Sequence, residues 1–165
     1  MTLPTTMHAV LLTGHGGYER LDYRTDVPVP RPGPGEVLIR VAATAVNNTD
    51  INTRIGWYSK AVSEGSNAGG AAGFAGADDA DASWTGAALT FPRIQGADCC
   101  GHVAAVGAGV DPARIGERVI VRNLLRSHVG YRPWECWTFG SECDGGFAQY
   151  AVAPSRETFP VACDW

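Results

Sequence analysis

Polar residues able to do chemistry gather at two places, the run Asn47-Asn48-Thr49-Asp50 and the single carboxylate Asp98. The run lies between a long apolar stretch and a short apolar one, where Asn, Thr and Asp side chains can cap the first turn of a helix. Asp98 stands beside Gly96 and Gly101. A carboxylate in such a frame often sits where backbone approaches a ligand closely, and both structural hydrogen bonding and a role in a cleft fit it. Strand alternation would put Asp98, Cys100 and His102 on one face, a donor set able to meet a metal, although the glycine at 101 argues for coincidence. Cys99 and Cys100 read as small buried residues rather than nucleophiles, because the sequence places no His or Lys to activate either thiol.

The elements that must hold these positions are short and punctuated by Gly and Pro. Met7–Leu12 reads as a strand turned by Gly14-His15-Gly16-Gly17, with Leu21–Arg24 returning beside it. Pro28, Pro30, Pro32 and Pro34 make the next segment stiff and unable to supply a central strand. Val37–Val46, apolar on both faces, is the longest strand candidate and is expected to be mostly buried. Ile51–Ile55 fits a short helix stopped by Gly56. Residues 59–90, rich in Gly, Ala, Ser and Asp, show no periodicity and predict a mobile insertion loop with Trp84 as its strong anchor. Residues 92–121 read as strand, glycine bend, strand, turn and strand. The aromatic-rich stretch 124–143 is expected to be a lobe whose rings cover the molecule. Gly145–Val152 reads as the last clear strand, turned by Ala153-Pro154-Ser155. Many short strands with little helix predict a mainly β barrel or sandwich.

Composition narrows the function classes. The chain has 165 residues, 45% of them hydrophobic and 18% charged, enough for one cored domain. A net charge of −4 leaves no electrostatic footprint for nucleic acid. No stretch approaches membrane-spanning length, and the N-terminus lacks a basic region followed by an apolar core, so a cytoplasmic location is expected. Five cysteines, two of them adjacent, do not form a disulfide framework.

Four ordered segments carry a family resemblance: Val29–Val41, Val46–Asp50, Gly96–Val121 and Gly145–Tyr150. Together they resemble the N-terminal, GroES-like catalytic domain of the medium-chain dehydrogenase/reductase superfamily, and within it the zinc-independent quinone oxidoreductases and related zinc-binding dehydrogenases. The resemblance implies a partly open β barrel with a few short helices over residues 7–162, after a lead at 1–6. It also implies a Rossmann domain that binds NAD(H) or NADP(H). No Gly-x-Gly-x-x-Gly loop between a strand and a helix is present, so that domain is absent from this chain. Residues 163–165 would then begin the linker to it, and the chain would be a fragment, inactive alone, of an oxidoreductase that dimerises when full length.

The same resemblance assigns site residues. Relatives with catalytic zinc carry Cys at the position of Asn47 and His-Glu at Ala97-Asp98. Asn47 and Ala97 cannot ligate, and one carboxylate does not hold zinc, so no metal is expected. Thr49 falls where the relatives have a proton-relay hydroxyl, and Asn48 at a cofactor-facing position. Asn47 matches an amide that faces both nicotinamide and substrate. Asn47, Thr49 and Asp98 are thus the implied catalytic residues, Asn47, Asn48 and Thr49 the cofactor contacts, and Tyr58 and Ala97 the substrate contacts, with a quinone, enone or aldehyde as acceptor. Two alternatives stand beside this reading: a zinc alcohol dehydrogenase with relocated ligands, and a non-enzymatic GroES-like binding module.

Overall fold

The computed structural model describes residues 2–162, so the expected linker start at 163–165 lies outside the described residues. Among the described residues ten strands form: β1 (Thr6–Leu12), β2 (Leu21–Pro28), β3 (Glu36–Ala45), β4 (Arg93–Ile94), β5 (Asp98–Val106), β6 (Arg118–Val121), β7 (Leu124–Leu125), β8 (Trp137–Thr138), β9 (Tyr150–Pro154) and β10 (Thr158–Pro160). Helix is confined to α1 (Asn48–Ile55), the single turn α2 (Ser66–Gly69) and short 3-10 turns.

The strands assemble into a five-stranded sheet, β10-β6-β5-β3-β9, a three-stranded sheet, β2-β1-β4, and a small β7-β8 ladder. Every strand pair in these sheets is antiparallel. Between the two larger sheets, Val10 N donates to Phe147 O at 2.9 Å and Gln149 N to His8 O at 3.0 Å. That seam curls the sheets toward a partly open barrel, as expected. Its core is the inward set Val37, Ile39, Cys99, Val103, Val119, Leu125, Phe139 and Ala151, with a second cluster of Met7, Ala9 and Ile94 under the three-stranded sheet. Each fully buried aliphatic side chain in this set stabilises the fold by about 1.5–3 kcal/mol.

Several expectations are corrected. β3 is the longest strand, but only Val37, Leu38 and Ile39 are buried, and the residues after Val41 are exposed. β9 pairs with β3 only from Glu36 to Arg40, so the far half of β3 has β5 alone beside it and runs out along an open edge. The strand read at Gly145–Val152 begins at Tyr150 and extends to Pro154, and an unexpected strand, β10, closes against β6. Trp84 is half exposed rather than an anchor; Ala82 and Leu89 are the buried hydrophobic residues of its segment, beside buried Ser59 and Ser83. That segment is irregular, with one helical turn, and is tied down by Phe74 N donating to Ile55 O and Leu89 N to Asp79 O. Of the aromatics in 124–143 only Phe139 enters the core, while Trp134 is fully exposed.

Candidate functional site

α1 starts at a reciprocal cap. Asn47 Oδ1 accepts from Thr49 N, and Asp50, three residues on, returns its carboxylate to Asn47 N at 2.8 Å. This exchange satisfies N–H groups that helix geometry leaves unpaired. At the other end Gly56, at φ 76°, closes the helix in the left-handed region that favours glycine.

Asp50 does more than cap. Its other oxygen accepts from Gly96 N at 2.9 Å and Ala97 N at 3.3 Å, and Gln95 Nε2 donates to its backbone carbonyl at 2.8 Å. One buried carboxylate therefore pins the start of α1 to the backbone that leads into β5. Burial holds its carboxyl above the ordinary aspartate range, the three backbone N–H donors pull it down, and the charge of Asp98 adds to the rise.

Segment 95–97 is held from its opposite side by glycine packing. Gly96 has φ +103°, and a Cβ there would stand 2.6 Å from Phe147 N. The close approach lets Gly146 N donate to Gly96 O at 2.9 Å and Phe147 N to Gln95 O at 2.8 Å. Glycines at both Gly96 and Gly145-Gly146 are thus the condition for docking the β9 approach against the site.

On this frame Asn47 Nδ2 donates to Asp98 Oδ2 at 2.9 Å. Thr49 Oγ1 accepts from the Tyr58 hydroxyl at 3.3 Å, and no acceptor among the described residues takes the proton of Thr49 itself. Asn48 is exposed, with its side-chain amide unengaged among the described residues. The fold thus brings Asn47 to Asp98 and Thr49 to Tyr58. Ala97 is only 1% exposed and offers a backbone N–H to Asp50 rather than a surface to a small molecule.

At the positions of Asn47, Ala97 and Asp98 there is an amide, a methyl and one carboxylate, and the amide already donates to the carboxylate. Asp98, Cys100 and His102 do share the outward side of β5, while Cys99, Gly101 and Val103 point inward. Among the described residues no three His, Cys, Asp or Glu side chains converge as a metal site. Cys99 is buried and Cys143 half-buried, and desolvation pushes both thiols up to about 12.

Sequence reasoning missed a cleft of about 910 Å³ beside α1. Asp50 and Arg54, four residues apart and so on one helix face, line it with Val46, Ile51, Gln95 and Phe147. Asn47, Thr49, Tyr58 and Asp98 do not. A 50/51/54 spacing flanked by apolar residues was the available signal.

Residues 33–162 match the model of the alcohol dehydrogenase GroES-like domain. The chain belongs to this family. It is similar to a solved Sinorhizobium meliloti 1021 protein provisionally named an alcohol dehydrogenase, with 43% identity and a TM-score of 0.78 over 99% of this chain and 42% of that one. A cobalt- and zinc-bound thermostable alcohol dehydrogenase from Pyrobaculum aerophilum is 26% identical, with a TM-score of 0.67 over 96% of this chain and 42% of its own. Among curated proteins, L-threonine 3-dehydrogenase of Thermococcus kodakarensis is 29% identical over 142 residues, 81% of this chain and 33% of the relative. The chain thus spans about a third of the length of the curated relatives it matches. No helix among the described residues is long and apolar enough to cross a membrane.

Proposed function

We propose that this domain is the substrate-binding part of an NAD(P)(H)-dependent oxidoreductase of the medium-chain alcohol dehydrogenase type, working without catalytic zinc. The family match and the shared length with dehydrogenases support the reaction class. The nicotinamide, bound mainly by a second domain, would supply or accept the hydride. The substrate is a carbonyl compound or its alcohol, with a quinone, enone or aldehyde as acceptor.

The observation that carries the reading is the Thr49 hydroxyl. It receives a hydrogen bond from Tyr58 and keeps its own proton uncommitted. Such a donor can meet the oxygen on which charge builds as hydride reaches carbon. Asn47, fixed by its cap and by Asp98, orients the neighbouring ring or carbonyl. Asn48, exposed and unengaged, is the free amide for the nicotinamide side.

A zinc-dependent alternative rests on relatives such as the cobalt- and zinc-bound Pyrobaculum aerophilum enzyme. The amide and methyl at Asn47 and Ala97 argue against it, because neither can ligate. The test is reduction of aldehydes, enones and quinones by the full-length protein with NADH and NADPH, before and after chelation, with metal content measured in parallel. Turnover that survives chelation in protein with no bound metal supports the proposal. Stoichiometric zinc whose removal abolishes turnover would overturn the zinc-free part. No hydride transfer to any acceptor would favour a binding module. The 165-residue chain alone is expected to show no turnover.

A further inference from the structure

The cleft beside α1 has a composition that the proposed reaction does not use. Its wall is mostly apolar, with Val10, Leu21, Val46, Ile51 and Phe147 among its residues. Into this wall the fold sets one cation, Arg54, only 4% exposed. Its guanidinium lies over the Tyr18 ring, 4.6 Å from the centroid. Its hydrogen bonds go to two backbone carbonyls, Gly16 O and, at a long 3.4 Å, Gly70 O.

Among the described residues no carboxylate lies within ion-pair distance of Arg54. Other arginines are treated differently. Arg93 meets Asp144 at 2.9 Å and Arg114 meets Glu117 at 2.7 Å, though both arginine side chains are more exposed, at 15% and 19%. Glu19 feels the charge of Arg54 only weakly, since its carboxylate is 69% exposed and bound to Gly17 N. A guanidinium has five N–H donors in a planar fork, so two carbonyls leave much of it unmatched. A charge taken from water without a counter-ion is costly. Backbone carbonyls at the end of α1 offset part of that, but they do not explain why the charge lines a mostly apolar cleft whose one carboxylate, Asp50, is given over to the backbone N–H groups of Asn47, Gly96 and Ala97.

We propose that this cleft binds a small amphiphilic anion, its carboxylate or phosphate ester against Arg54 and its apolar body along Val46, Ile51 and Phe147. Gln95 and Thr44 also line the cleft, but Gln95 Nε2 donates to Asp50 O and Thr44 Oγ1 to Asp98 O, which leaves Arg54 as the group that meets the charge. The site is separate from Thr49 and Tyr58, and it stands or falls independently of the oxidoreductase reading.

Calorimetric titration of the full-length protein with hexanoate, hexyl phosphate and hexanol tests this without any turnover. At least one anion is expected to bind about tenfold or more tightly than the neutral alcohol, as charge-assisted pairing to arginine provides. Whichever anion is tighter names the head group. Arg54→Met should remove the preference for the anion and leave hexanol binding in place. Arg54→Lys should keep most of the preference. Reading the anion-to-alcohol ratio within one variant separates lost charge from a loosened fold, which would weaken both ligands together. The proposal is overturned if neither anion saturates, if anion and alcohol bind equally, or if Arg54→Met leaves the ratio unchanged.

Discussion

Asn47 and Asp98, 51 residues apart in sequence, are joined by a hydrogen bond of 2.9 Å from the amide nitrogen to the carboxylate. The pairing engages the Asp98 carboxylate inside the protein. It also gives the Asn47 amide a fixed sense: oxygen toward Thr49 N, nitrogen toward Asp98. A residue so constrained can position a neighbour, and its removal should be felt first as lost order.

Asn47→Ala removes the cap and the Asp98 contact together, and a loss of about 1–2 kcal/mol is expected. Asn47→Ser keeps a cap oxygen but not the amide donor, so it should recover most of the stability while leaving Asp98 unpaired. Urea unfolding of the two variants separates the contributions. Equal losses in both would mean that the Asp98 bond, not the cap, carries the stability.

Asp50 gives a pH signature. Asp50→Asn forfeits a charge that three backbone N–H groups share and turns an amide N–H₂ toward donors, so about 1–3 kcal/mol should be lost near neutral pH. The folded carboxyl lies above its ordinary value, chiefly through burial. The folded state therefore holds the proton more tightly than the unfolded chain. The contribution of this group is fully present below the ordinary aspartate range and is lost as pH rises through the raised folded value. The stability gap between wild type and Asp50→Asn should accordingly narrow from acid toward neutral pH. A gap that widens over that range would show the backbone donors, not burial, to dominate.

The sequence made the frame legible where local chemistry and period agree. Asn at the cap with Asp three residues on, and Gly56 at the end, define α1 to within three residues of its observed start. The strand pattern of 92–121 survives as β4, β5 and β6. Tertiary pairing was not legible. Nothing local says that β9 leaves β3 after Arg40, which exposes the small residues that follow. Nor does composition tell Phe139, wholly buried, from Trp134, wholly exposed, in one aromatic run. At the site, the family resemblance pointed to Asn47, Thr49 and Asp98, but the joint between Asp50 and Gly96 depends on contacts 46 residues apart.

The two desolvated thiols, Cys99 buried and Cys143 half-buried, should be silent. At pH 8 a thiol near 12 carries on the order of a thousandfold less thiolate than one at the ordinary 9.0. Cys99 and Cys143 should therefore stay unlabelled by an aromatic disulfide reagent in the native protein and react on unfolding. Because their folded values lie above the unfolded ones, the stability they contribute is constant below pH 9 and lost between 9 and about 12. Peptide mapping after labelling checks the first statement, and alkaline unfolding of Cys99→Ala against wild type checks the second. Rapid native labelling of Cys99 would contradict its burial.

Tyr58 and Thr49 divide a catalytic role from a structural one. Tyr58→Phe deletes the donor to Thr49 Oγ1 and little else, so stability should change by no more than about 1 kcal/mol. If the Thr49 hydroxyl donates to the substrate oxygen, losing its upstream partner should lower kcat by about tenfold or more. Thr49→Val removes the donor itself and should cost about a hundredfold or more in kcat, with a smaller change in KM. Thr49→Ser, which keeps the hydroxyl, should restore most of the rate. Steady-state kinetics of the full-length protein with one aldehyde and one quinone decides the matter. Full activity in Thr49→Val would remove this hydroxyl from the chemistry and leave Tyr58 and Thr49 as a brace between the body of α1 and the chain that follows it.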